Sequence, residues 1–207
     1  KQVQGMILAT LPAACAAALA AYFLAGVKNA NKADVLSLRW PKLTLLGWVA
    51  VIVTFIGGLY LLLTAITLVF NIDPAQYTPK PDGSSPDTGS AGLVKEAMFA
   101  LSNDPVQFWF AFLSVSIGAP LAEEFIFRGQ LFAALSRSRA GNSGAVVISS
   151  VLWAALHLTE PLLSVALILA MGFVLGWLLL RFRSLYVTMA CHGLWNATYS
   201  LIIHYSR

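Results

Sequence analysis

The sequence predicts an all-α, polytopic transmembrane helical bundle of about six spans with a short interfacial helix. Three observations predict it. Charged residues make up 11% of the 207 positions, where a soluble chain carries about 25%. Hydrophobic residues reach 58% and gather into blocks long enough to cross a hydrocarbon core of ~30 Å. The basic residues stand in short clusters between those blocks, so the net charge of +4 reads as membrane topology and no nucleic-acid partner is expected.

The elements follow in order. Met6–Val27 is rich in Ala and Leu and is expected to span; the basic loop 28–44 follows; Leu45–Phe70 forms the second span. Residues 1–70 thus read as an N-terminal two-helix transmembrane hairpin. Residues 71–92, rich in Pro, Gly and Ser, read as an extracytoplasmic loop. Apolar residues at 93, 94, 97, 98 and 101 carry helical spacing and mark the interfacial helix. The membrane core extends from there to 207. Its blocks cover 105 to about 135, 144–158, 161–180 and 185 to about 204. Pro120 is expected to kink the first of these or to start a new helix. Cys15 and Cys191 lie inside apolar runs and read as small buried hydrophobes.

Placing the 28–44 loop in the cytoplasm puts eight cations on that side (Lys28, Lys32, Arg39, Lys42, Arg137, Arg139, Arg181 and Arg183). Lys1, Lys80, Lys95 and Arg207 lie opposite. Eight against four fits the positive-inside rule with six spans.

Glu123, Glu124 and Arg128 break the apolar pattern of "LAEEFIFRGQLF". A charge at the centre of a membrane helix costs about 2.5–3.5 kcal/mol, so this cluster must be paired, protonated or wet. Glu124 and Arg128 are four apart and share a face, while Glu123 lies about 100° around. The spacing therefore predicts a held Glu124 and a freer Glu123, the latter suited to act as a general base. Trp153 and His157 share a face, as do His192 and Asn196. Counted from the cytoplasmic turns at about 1.5 Å per residue, Glu124 lies ~20 Å deep, His157 ~21 Å, His192 ~12 Å and Asn196 ~18 Å. Three helices bring polar groups to overlapping depth, which predicts one buried site.

A carboxylate, two imidazoles and an amide suit attack of water on a carbonyl. The chain has no G-x-S-x-G elbow, no Ser-Lys pair at matching depth and no H-E-x-x-H. Two schemes fit the residues. In one, Glu123 and His157 deprotonate a water while His192 and Asn196 donate to the oxyanion. In the other, Glu123, His157 and His192 hold a zinc ion with an open fourth position.

"EEFIFR" at 123–128, His157, and "HGLWN" at 192–196 resemble the three ordered motifs of the CAAX-protease and bacteriocin-processing family of intramembrane proteases, some of them called abortive-infection proteins. The resemblance covers roughly 93–207. It implies that Glu123 and His157 activate water, that His192 and Asn196 stabilise the oxyanion or help bind a metal, and that Glu124 and Arg128 support the site. Trp153 stands where the family pattern has Phe, from which altered packing is expected. The implied protein is an endopeptidase of a bacterial cytoplasmic membrane, cleaving a membrane-anchored or prenylated peptide. Two other functions remain open: a non-catalytic scaffold, chaperone or immunity protein of the same fold within a larger membrane complex, and a transporter. The lack of repeated halves and the small number of spans speak against transport. The interfacial segment and Pro120 are expected to admit substrate from the lipid side.

Overall fold

A computed structural model of the chain describes residues 2–27, 31–73 and 104–205. These residues are helical, with no strand among them. The helices are α1 (Gln2–Leu24), α2 (Lys32–Val35), α3 (Leu45–Val69), α4 (Pro105–Ser136), α5 (Gly141–Ala155), α6 (Leu162–Phe182) and α7 (Leu185–Tyr205). The expected interfacial helix, with its expected part in substrate entry, and nearly all of the 71–92 loop lie outside the described residues.

Among the described residues, three helices are long and apolar enough to cross a membrane, where six spans are expected of the chain: α3 with 25 residues, α4 with 32 and α6 with 21. Helix α5 has 15 residues and is thus only about 22 Å long, less than a ~30 Å core. It ends in a turn at 156–160 ahead of Pro161. Helix α7 has 21 residues, but its run is interrupted by polar groups, His192 and Asn196 among them.

Helix α4 lies at the centre. It packs against α1, α5 and α7; α5 pairs closely with α6, and α3 rests on α7 and α6. The two N-terminal helices therefore pack mainly on different parts of the core. Small residues allow these approaches, as expected where lipid supplies no hydrophobic drive for helix association. Ala14, Ala18, Ala21 and Ala25 form one buried seam of α1. Cys15 falls off that seam and is exposed, contrary to the expectation, whereas Cys191 is buried. A side chain at Gly172 would press on Ser150 and one at Gly176 on Val146, which is how α5 and α6 come together. At one end of the bundle, the fully buried Leu36 fits against Gly129, and the amide of Leu185 donates to the Ser37 carbonyl at 2.9 Å.

Helix α4 begins at Asp104, whose carboxylate accepts from the amides of Val106 (3.0 Å) and Gln107 (3.2 Å) and from the Gln107 side chain (2.7 Å). The backbone and side-chain amides of Gln107 hold the Asp104 carboxyl below its ordinary range. This cap is in place above the ordinary carboxylate range and is lost as pH falls through the lowered value.

Pro120 does not end α4. The helix widens to π geometry at Ser114–Gly118 and again at Glu124–Leu131. The Ala119 amide reaches back five residues to the Ser114 carbonyl, and Pro120, which has no N–H, offers nothing to the Val115 carbonyl in that register. The Asn196 side chain of α7 donates to it instead, at 3.0 Å. One residue on, Gly193 lies so close that an added Cβ would stand 2.6 Å from the Ser116 carbonyl oxygen.

Gly193→Ala should force α7 off α4 and cost about 1–3 kcal/mol. Gly57→Ala, where no atom lies within 4 Å, should be neutral or stabilising, since Ala is the better helix former. Thermal unfolding in detergent reads both.

Candidate active site

The second π-helical stretch of α4 carries Glu124 and Arg128, and both side chains are fully buried. Arg128 Nη1 donates to Glu124 Oε1 at 3.1 Å. His192 of α7 places Nδ1 at 3.1 Å from the same oxygen. A carboxylate paired with a guanidinium can only accept, so His192 Nδ1 carries the proton and Nε2 is left with its lone pair. Glu124 is the held carboxylate that the spacing predicts.

Glu123 points elsewhere. Its side chain is 28% exposed, which leaves it open to water where Glu124 is closed. It is less free than the spacing suggests. The indole N–H of Trp153 on α5 donates to Glu123 Oε2 at 2.6 Å. The same oxygen stands 4.0 Å from His192 Nε2. His192 thus lies between the two glutamates, bonded to one and facing the other.

Trp153 is buried and joins the parts. Its ring lies under the Arg128 guanidinium, with Cζ 4.3 Å from the centroid. Its edge relations to His192 (5.2 Å, 73°) and His157 (5.7 Å, 75°) place both imidazoles around it. His157 sits in the turn just past α5, with Nδ1 3.0 Å from the Trp153 carbonyl. A carbonyl only accepts, so here too Nδ1 holds the proton and Nε2 the lone pair.

The structure therefore brings Glu123, Glu124, Arg128 and His192 together directly, with His157 joined to them through Trp153. Asn196 stands apart from this cluster, with one N–H committed to Val115. Among the described residues, no three His, Cys, Asp or Glu side chains converge to hold a metal ion. Glu123, His157 and His192 as arranged do not fit a three-ligand zinc site. Sequence reasoning treated Trp153 as a packing residue. The signal available was Trp153 itself, a buried indole whose single donor must find an acceptor.

Arg128→Met should leave Glu124 buried without its cation and cost on the order of 3–5 kcal/mol. Glu124→Gln combined with Arg128→Met should recover much of that loss, because no lone charge remains. Denaturant unfolding of the three proteins in micelles checks it.

Residues 105–198 match the family model described as Type II CAAX prenyl endopeptidase Rce1-like. No curated protein and no solved structure matches the chain. The matched stretch holds all of α5 and α6 and every side chain of the cluster described above. The chain is an integral membrane protein whose core, at residues 105–198, is similar to the Rce1-like type II CAAX prenyl endopeptidases, in agreement with its resemblance to the CAAX-protease and bacteriocin-processing family.

Proposed function

We propose that this chain hydrolyses a peptide bond of a membrane-anchored substrate with water activated by Glu123 and a histidine. The observation that carries the reading is the division of labour between the adjacent glutamates. Glu124 is sealed against Arg128 and His192, while Glu123 is part-exposed and faces His192 Nε2 across 4.0 Å. That gap is too long for a direct hydrogen bond, and a water seated beside it can reach both groups.

Water held there attacks the scissile carbonyl carbon, and its proton passes to Glu123, with the lone pair of His157 Nε2 as a second acceptor. His192 bears positive charge when Nε2 is protonated, and Glu124 behind Nδ1 stabilises that charge. That proton comes from solvent before the water attacks, and the Nε2–H so formed faces the developing oxyanion. Collapse of the tetrahedral intermediate breaks the C–N bond, and Glu123 returns its proton to the leaving amine. Asn196 fixes α7 on α4, and only its second N–H is available to a substrate oxygen. No step runs through a metal.

An apolar cavity of about 430 Å³ between α3 and α6 supports a lipid-bearing substrate. Phe55, Leu59 and Leu178 form part of its wall and belong to the same buried cluster as Trp153. Such a cavity suits the hydrocarbon chain of a prenylated C-terminus, with the peptide directed to Glu123.

Peptide cleavage in nanodiscs tests the chemistry. Glu123→Gln should lower kcat by roughly 10²–10⁴-fold, and His157→Ala should also be strongly impaired. Wild-type rates in Glu123→Gln would overturn the reading, and loss of wild-type cleavage on chelation would replace it with a metal-dependent route. Gly58 lines the cavity, and a side chain there meets no atom within 4 Å. Gly58→Phe should therefore raise KM for a prenylated peptide and spare its unprenylated counterpart; equal effects on both would remove the cavity from the proposal.

A further inference from the structure

We infer that Trp153 is a positioning residue, and that its indole N–H fixes the carboxylate of Glu123 in the orientation from which it receives a proton. The inference rests on the hydrolytic role proposed for Glu123 and adds a function for a residue that the family pattern replaces with Phe.

Three observations lead to it. Trp153 is 1% exposed, so its one polar atom has no water to turn to, and an indole N–H can only donate. The acceptor it meets is Glu123 Oε2, at 2.6 Å. With a carboxylate as acceptor, this is a charge-assisted bond. Finally, the indole cannot turn away from this bond without leaving its other partners. Arg128 covers its face at 4.3 Å, His192 and His157 stand around its edge, and the ring is enclosed in the core with Phe127, Leu175 and Cys191.

A part-exposed glutamate on a helix keeps several rotamers, and each one not aimed at substrate dilutes the productive arrangement. Glu123 has a second difficulty, since Arg128 and His192 are already claimed by Glu124. Trp153 resolves both. It anchors one oxygen, Oε2, and leaves the other, Oε1, without a protein hydrogen bond among the described residues. It also keeps Oε2 opposite His192 Nε2. A Phe here would retain the stacking under Arg128 and the edge contacts to the imidazoles. It would lose the donor and the volume of the second ring. The substitution thus separates orientation of Glu123 from the stacking under Arg128.

Two variants and two readouts test this. Trp153→Phe and Trp153→3-benzothienylalanine both remove the N–H, and the second keeps the indole shape, so a packing defect in the first cannot decide the result. Both should cut kcat about tenfold with KM unchanged within twofold, and 5-fluorotryptophan at 153, which keeps the N–H, should restore the wild-type rate. An unchanged kcat in the benzothienyl protein would overturn the positioning role. The second readout needs no catalysis. In ¹⁵N-labelled protein the indole resonance that disappears in Trp153→Phe belongs to Trp153, and it should lie downfield and move upfield in Glu123→Ala. A resonance indifferent to Glu123→Ala would sink the contact itself. If Glu123→Gln retains activity while this resonance responds, the bond stands, but the hydrolytic role of Glu123 fails and the positioning function is overturned with it.

Discussion

A guanidinium and a carboxylate, 3.1 Å apart and fully enclosed by helices, set the terms for everything around them. Each charge alone would cost several kcal/mol at membrane depth, and their attraction offsets this only while the geometry holds and neighbours supply further bonds. The chain supplies them from two other helices. His192 of α7 bonds the same glutamate oxygen, and Trp153 of α5 covers the guanidinium. The ion pair thus recruits one residue from each helix that packs on this half of α4. Those residues in turn carry the second glutamate. The contacts of α5 and α7 with α4 satisfy part of this charge pair, while Arg128 Nε and Nη2 stay buried without a hydrogen-bond partner among the described residues.

The backbone of α4 bends to the same end. A regular α-helix with Pro120 would leave a carbonyl orphaned and bring a proline ring against the preceding turn. The π turn at Ser114–Gly118 absorbs the misfit, and the carbonyl that stays open, Val115, is taken by Asn196. Gly193 then lets α7 approach to backbone contact. His192 and Asn196 are one helical turn apart, so the bond that closes the defect also holds the imidazole over Glu124. A residue type that suggests an oxyanion donor in sequence has, in the fold, a first duty to the helix interface.

Legibility in the sequence divides along these lines. The membrane character, the extent of α3, α4 and α6, the pairing of Glu124 with Arg128 and the greater exposure of Glu123 all follow from local spacing and burial cost. They depend on residues within one helix. The shortness of α5, the π turns, the bond from Asn196 to Val115 and the N–H of Trp153 aimed at Glu123 each depend on where a second helix lies. Periodicity does not carry that information. Trp153 marks the boundary: its spacing to His157 showed that the two share a face, and nothing local could show that its donor reaches 30 positions back.

Two adjacent glutamates with opposite fates also explain why both histidines present the same nitrogen. Each imidazole has Nδ1 occupied by a group that can only accept, Glu124 Oε1 for His192 and the Trp153 carbonyl for His157. Neither acceptor depends on substrate, so the tautomers are set before anything binds. Without Arg128, nothing holds Glu124 as the acceptor-only carboxylate that compels Nδ1 of His192 to donate. The choice of nitrogen that meets the water would then be open. Arg128 thus fixes which nitrogen of His192 meets the water, through its bond to Glu124.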